Sequence, residues 1–441
     1  MGRPPHHVPL RVYLGSRLTG RLIREPGGAI AFRYDPDWLA QPGALPISLS
    51  LPLREDAYRG EPVAAVFENL LPDSGLLRRK VAERVGARGT DAYSLLARIG
   101  QDCVGALQFV AGDMDRRDDG LAGETVTDAD IARLLTNLAA APLGLSPEDD
   151  FRISIAGAQE KTALLLKEDK WLKPHGTTPT SHIFKTRIGH LPGGIDLTDS
   201  VENEFYCLKL AESFGFPVNR AEIRTFDGVT ALVIERFDRR PLADGRLLRL
   251  PQEDCCQALS VPPTLKYQSE GGLGMAEVLD LLKASDAPAR DQAQFLAAQL
   301  FFWIIGATDG HAKNFSLFLK PGGGFAMTPL YDILSAEPAH ARHQVTRRQM
   351  RLAMSAGKNR HYRLDEIHPR HFVQSAMAAG VPVPVMTAAL RQLADHADTA
   401  FDRAAKALPD GFPQDLVTAI EAAARPRLEA LRRYLEQQGE A

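Results

Sequence analysis

Segments with a hydrophobic period of two dominate this chain up to Leu250 and segments with a period of 3.6 dominate after it, an order that limits the fold more than any other feature. Val8 to Leu14 and Leu22 to Tyr34 alternate apolar and polar positions between Gly and Pro breaks, as short antiparallel strands do. From Pro62 a helical interlude begins, with Val63, Val66, Phe67, Leu70 and Leu71 at helical spacing, continued by Leu76 to Val85 and Tyr93 to Ile99. The polar tract 112–124 (GDMDRRDDGLAGE) has no apolar period and marks a boundary. Strands resume at Phe151 to Ile155, Thr162 to Lys167, Ser181 to Lys185 and Val229 to Phe237. Among them lies one helix, whose face carries Val201, Phe205, Leu208 and Ala211. Asp199 is its predicted N-cap, Glu202 its N3 residue, and Gly215 with Pro217 its stop. Later helices are expected over Ala276 to Ala284, Gln292 to Ile305, Pro384 to Ala397 and Pro413 to Leu435, the last broken or kinked at Pro426. The expected class is α+β, with a β-rich lobe (151–248), a helical lobe (249–441), a small mixed N-terminal subdomain (1–112) and a linker with a connecting helix (113–150).

A chain of 441 residues exceeds what one hydrophobic core fills, in keeping with several domains. Its 52 Lys and Arg against 55 Asp and Glu leave a net charge of −3, so no global positive field draws it to nucleic acid or an anionic membrane. Arg342, Arg347, Arg348 and Arg351 cluster locally and read as solvated surface. No helix-turn-helix or zinc-finger pattern is present, so any readout of a nucleic-acid sequence would belong to a partner. The longest apolar run, Phe295 to Ala307, is interrupted by Gln299 and falls short of the roughly 18 apolar residues of a membrane span. It reads as a buried helix, and the N-terminus lacks the apolar core of a signal peptide, which points to the cytoplasm. Cys103, Cys207, Cys255 and Cys256 are too few and too irregular for a disulfide framework or a thiolate metal site.

Chemistry concentrates directly after the apolar helix, in GATDGHAKNFS (306–316). Asp309 and Asn314 stand at the Asp-x-x-x-x-Asn spacing of a kinase catalytic loop, where the carboxylate takes the substrate hydroxyl proton and the amide oxygen holds a metal. The same two residues alone would fit an Asx-type turn equally well. Asp332, on the otherwise apolar LYDI, suits a metal ligand, or else the partner of an arginine such as Arg342 or Arg347. Lys185 ends a strand, as the kinase lysine that meets the α- and β-phosphates does, and Glu204 is its candidate ion-pair partner; an exposed lysine and a solvated glutamate are the alternative. The loop 154–162 (SIAGAQEKT) lacks the second glycine and the following helix of a Walker A motif, and reads as a flap between two strands.

Together FRISIAGAQEKTALL, SHIFK, VENEFYCLKLAESFG, VIERFDRR, RLPQEDCCQAL, GATDGHAKNFS and MTPLYDILSA resemble the HipA family of toxin serine/threonine kinases, as do FENLLPD and ARIGQDCVGAL nearer the N-terminus. The resemblance implies a protein-kinase-like two-lobed fold, use of ATP and Mg²⁺, and the role of toxin in a toxin–antitoxin pair. It also implies a small DNA-binding antitoxin through which operator DNA is met, and an aminoacyl-tRNA synthetase as protein substrate. Carried over by motif, Asp309 is the catalytic base, and Asn314 and Asp332 are the magnesium ligands. Nucleotide contacts fall to Ala156, Gly157, Ala158, Gln159, Glu160, Lys161 and Lys185, to Glu235, Arg236 and Phe237 around adenine, and to His311, Lys313 and Tyr331. Ser154 is the implied autophosphorylation site. The chain departs from the family at Lys185-Thr186-Arg187, where a proline often follows the lysine. Two other classes remain open at this stage: a non-catalytic antitoxin-binding scaffold, and a small-molecule kinase on the same fold.

Overall fold

The computed structural model describes residues 8–112, 121–138, 161–191 and 194–439, and the chain divides between two units. The first comprises Met1–Thr186, Arg224–Thr264 and Ser316–Phe325; the second Arg187–Ile223, Leu265–Phe315 and Ala326–Ala441.

In the first unit the alternation near the N-terminus becomes an antiparallel sheet of five strands, in the order Tyr58–Arg59, Ile30–Tyr34, Arg17–Arg24, Leu10–Leu14, Leu107–Val110. Leu10, Val12 and Leu14 turn to one face, which packs on the helices Glu61–Glu68, Gly75–Arg84 and Ala92–Ile99. Two of these helices start where their sequence says they should: Ser74 and Asp91 accept the N–H of Leu77 and Ser94 with their side chains. Phe67 meets Phe109 edge-on between sheet and helices, at a centroid distance of 5.6 Å.

A second sheet of six strands runs Ala221–Phe226, Val229–Glu235, His182–Lys185, Lys161–Lys167, Lys170–Pro174, Gly123–Thr125. The end of the tract read as a boundary is therefore an edge strand, paired with Lys170–Pro174. Helix Asp128–Thr136 begins with a complete capping box between Thr127 and Asp130, and buries Ile131, Ala132 and Leu135 against Leu164, Trp171 and Phe184. The expected strand Phe151 to Ile155 lies outside the described residues.

The second unit is mostly helical and is built around Pro288–Ile305. Its apolar residues face every direction, and Phe295, Leu300, Phe301, Ile304 and Ile305 are all buried, as a helix at the centre of a core requires. Phe301 carries Phe214 and Phe216, and Trp303 carries Phe372.

Two local expectations need correction. Asp199 does precede helix Ser200–Ser213, but its side chain makes no capping bond; it accepts from Arg342 at 2.7 Å, while Glu202 pairs with Arg187 at 2.5 Å. The bidentate arginine is the stronger partner and displaces the cap. Of the break or kink expected at Pro426, the break does not occur: the C-terminal helix Gln414–Gly439 runs through the proline without ending. Ile420, Ala424, Leu428 and Leu431 are buried on both sides of the proline, and this packing outweighs the missing backbone bond.

Candidate functional site

The second unit holds the carboxylates. Helix Pro288–Ile305 stops at Gly306, whose φ of +71° is the left-handed turn that glycine takes without strain. Three residues on, Asp309 stands at the surface, its side chain 58 % exposed. The loop is flat against the helix behind it, for a Cβ on Gly310 would meet Phe302 at 2.3 Å. The backbone oxygen of Asp309 accepts from the His311 N–H at 2.8 Å and from the Asn314 Nδ2 at 2.7 Å. The Asx-type reading is thus half right: Asn314 does bond backbone, but Asp309 sends its carboxylate outward. With its amide nitrogen committed, Asn314 has its oxygen to offer to a hard cation.

Tyr331 ties a second segment to this loop by donating to the Lys313 backbone oxygen at 2.7 Å. Asp332 follows in the left-handed region, at φ +58°. Such a conformation costs a non-glycine residue about 1–3 kcal/mol and is held by its surroundings, as is common at functional sites. The surroundings here are explicit. Leu330 pairs with Pro217 and Asn219 through backbone bonds, and Ser335 donates its hydroxyl to the Ile305 oxygen at 2.6 Å. Asn203 brackets Ser335, accepting its N–H at 2.9 Å and donating to its oxygen at 2.8 Å. The next residue, Glu204, is 1 % exposed, so the solvated alternative does not hold. Nor do the two arginines that could have competed with a metal for Asp332: Arg347 is on Glu337 and Arg342 on Asp199.

The loop's root is fixed by charge. Glu337 lies buried between Arg347, at 2.6 Å, and Arg427, at 2.8 Å. Arg427 also donates to the oxygens of Trp303 and Ile304, the last carbonyls of the central helix, both at 3.0 Å.

Sequence reading missed Tyr267. Its hydroxyl donates to Asp309 Oδ1 at 2.5 Å, and its ring meets His311 edge-on at 5.1 Å. Nothing in the spacing of a residue 42 positions upstream signals this.

The first unit holds the cations. Lys185 ends strand His182–Lys185 and is 5 % exposed, so it is a buried lysine and not a surface one. Register places Lys161, equally buried, directly across from it. Glu235 is exposed at the end of its strand and Phe237 is half-buried, edge-on to Phe318. Arg236, the third expected adenine neighbour, points elsewhere. Its guanidinium is buried on Asp238, at 2.7 and 2.9 Å, and on the Thr180 hydroxyl. Arg239 and Arg249 join it around Asp102. Ser154, Ala156, Gly157, Ala158, Gln159 and Glu160 lie outside the described residues.

Within the second unit, the carboxylate of Asp332 and the amide oxygen of Asn314 are donors of the kind that a hard divalent cation takes. All four cysteines are buried, and burial pushes the Cys103 thiol up to about 12, which removes thiolate chemistry there. Among the described residues no helix is long and apolar enough to cross a membrane.

Comparison with known proteins gives matches along most of the chain. The model of the HipA N-terminal domain matches residues 10–110, and that of the HipA-like C-terminal domain matches 153–401. A Sinorhizobium fredii protein, Y4mE, a kinase by name only, is 35 % identical over 408 residues, covering 91 % of this chain and 92 % of its own. The serine/threonine-protein kinase toxin HipA of Shewanella oneidensis is 28 % identical over 74 % of this chain and 75 % of its own. Among solved structures, a Shewanella oneidensis HipA, determined with HipB and operator DNA, superposes with a TM-score of 0.78 at 23 % identity, over 96 % of this chain and 98 % of that one.

Proposed function

This chain belongs to the HipA family of kinase toxins, and from that premise we propose that it is an ATP-dependent serine/threonine protein kinase with the two-lobed organisation of protein kinases. The observation that carries the proposal is the loop Asp309–Asn314, with the Asn314 amide on the Asp309 backbone and the left-handed Asp332 tied alongside through Tyr331. A structural turn would not need a strained aspartate beside an outward carboxylate.

Asp309 accepts the proton of a substrate hydroxyl as its oxygen bonds to the γ-phosphorus and ADP departs. Lys161 and Lys185 neutralise phosphate charge, and Glu204 serves the lysine as counter-ion. His311, Lys313 and Tyr331 line the nucleotide, with Glu235 and Phe237 at adenine; Arg236 supports that segment from within. Asn314 and Asp332 would hold Mg²⁺, which supplies charge neutralisation on the phosphates. The substrate is an aminoacyl-tRNA synthetase, and Ser154 is phosphorylated in turn to silence the enzyme: nearly two added charges there repel ATP. A small DNA-binding antitoxin binds the chain and carries it to operator DNA, by analogy with the Shewanella oneidensis HipA, whose structure was determined in complex with HipB and operator DNA.

Incubation with Mg²⁺ and ATP, followed by mass spectrometry, tests this. Phosphate on Ser154 and on a synthetase in a lysate is expected for the natural chain, and none for Asp309→Asn, whose ATP affinity should stay within about twofold because the base acts on the hydroxyl and not on the nucleotide. Transfer by Asp309→Asn at the natural rate would overturn the assignment.

A further inference from the structure

We propose that Tyr267 is the positioning residue of the catalytic carboxylate: its hydroxyl holds Asp309 Oδ1, so that Oδ2 is the oxygen presented to the substrate hydroxyl. The proposal rests on the kinase reading above for its consequence in catalysis, though not for its geometry.

An exposed aspartate on a loop has two soft torsions and samples several rotamers. A general base has to keep one oxygen within hydrogen-bond reach of the proton that it takes, and a misplacement of about 1 Å costs on the order of a hundredfold in rate. The catalytic loop itself fixes only the backbone of Asp309, through its carbonyl oxygen and the donors His311 N–H and Asn314 Nδ2. The carboxylate needs a restraint of its own. Tyr267 supplies it at 2.5 Å from Oδ1, whereas His311 Nε2 is 3.9 Å from Oδ2, beyond a hydrogen bond.

The tyrosine is itself held. Its backbone oxygen accepts from the Gly272 N–H at 3.0 Å and from the Glu270 N–H at 3.1 Å. The turn is so close that a Cβ on Gly272 would meet the Leu265 oxygen at 1.8 Å. The neighbouring Gln268 accepts from the Ser355 N–H at 2.7 Å, anchoring the turn to strand Arg351–Ala356. The ring stands edge-on to His311, which is 4 % exposed. A surface tyrosine that met Asp309 by chance would not be fixed at its backbone, its neighbour and its ring together. A phenol is a good restraint because it donates to the carboxylate without competing for its proton at neutral pH.

Tyr267→Phe keeps the ring and removes only the donor. In the full chain we expect kcat to fall about tenfold to a hundredfold, the range of one hydrogen bond to a charged group, with KM for ATP and the midpoint of thermal unfolding unchanged. A merely structural tyrosine would lower the midpoint and leave kcat of the folded fraction alone. The second arm needs no turnover: the ¹³C-carboxyl resonance of Asp309, assigned by its loss in Asp309→Asn, should move or broaden in Tyr267→Phe as the carboxylate is released. An unmoved resonance, or an unchanged kcat, overturns the proposal. If the natural chain transfers no phosphoryl group at all, the kinase reading fails, and the carboxyl resonance still decides whether Tyr267 holds Asp309.

Discussion

At the scale of single residues, the chemistry-bearing side chains that follow one another closely were legible, and those assembled from afar were not. Asp309 and Asn314 announce themselves by spacing because one short loop builds their geometry. Tyr267 and Asp102 reach their partners across 42 residues and more than 130, and no local pattern encodes such a meeting. Arg236 lies in the segment expected at adenine, and the acid two residues later and the buried Asp102 draw its guanidinium inward. Glu253 shows what burial does to a lone carboxyl. It is 1 % exposed, accepts the Leu49 N–H at 2.8 Å, and is pushed up to about 8 by desolvation, with that backbone bond opposing. The folded state therefore holds a proton that the unfolded chain releases near the ordinary carboxylate range, so the stability that Glu253 contributes is present in full below about pH 4.3 and is lost as pH rises through about 8. Glu253→Gln keeps the acceptor and removes the titration. Its unfolding midpoint, compared with that of the natural chain by scanning calorimetry, should gain on going from pH 5 to pH 9; a difference independent of pH would count against the shifted carboxyl.

At the scale of elements, periodicity located most strands and helices because one buried face imposes it, whereas ends and interruptions were set by partners the local sequence does not name. Pro426 is the clearest case. Alone it should end a helix at a cost of about 3 kcal/mol, but the helix is anchored one residue later by Arg427, which caps the central helix at Trp303 and Ile304 and pairs with Glu337. The same side chain thus joins the C-terminal helix to the root of the loop that carries Asp309. Arg427→Met, which keeps the stem and removes the guanidinium, should leave two helix-end carbonyls without this donor and Glu337 with Arg347 alone. A loss of about 2 kcal/mol is expected, since Glu337 retains one of its two arginines. Urea titration would read it as a lower midpoint at unchanged slope. Turnover should fall as well, because Asp309 begins three residues beyond the released helix end; a stability loss with no change in turnover would show that the cap does not position the loop.

At the scale of the whole molecule, the sequence suggested a small N-terminal subdomain over 1–112 ahead of a kinase-like region, and the HipA N-terminal and HipA-like C-terminal family models match residues 10–110 and 153–401. Within the first unit, however, that division runs through a buried ionic cluster. Asp102, fully buried, accepts from Arg239 at 2.9 Å and Arg249 at 3.1 Å, and from the Thr180 hydroxyl at 2.8 Å, with Arg236 at 3.6 Å. Asp238 returns the link by accepting the Gly105 N–H at 2.7 Å. Three guanidinium groups face two carboxylates, one of which belongs to the N-terminal subdomain. Burial already pushes Arg249 down to about 10 with Asp102 opposing, so the cluster has no charge to spare. Removing one partner of a buried ion pair costs about 3–5 kcal/mol because the other charge is left uncompensated, and here three charges share that partner. Against a total stability of about 5–15 kcal/mol, such a loss is decisive. We therefore expect Asp102→Ala to lower the unfolding midpoint severely, and a chain beginning at residue 113 to be insoluble or unfolded although it contains the whole kinase-like family domain. Co-expression of 1–112 with 113–441 as separate chains should restore solubility by returning Asp102 to its arginines, and should fail to do so when the first piece carries Asp102→Ala. A soluble, cooperatively folding 113–441 would show that the cluster is dispensable and that the two regions are independent after all.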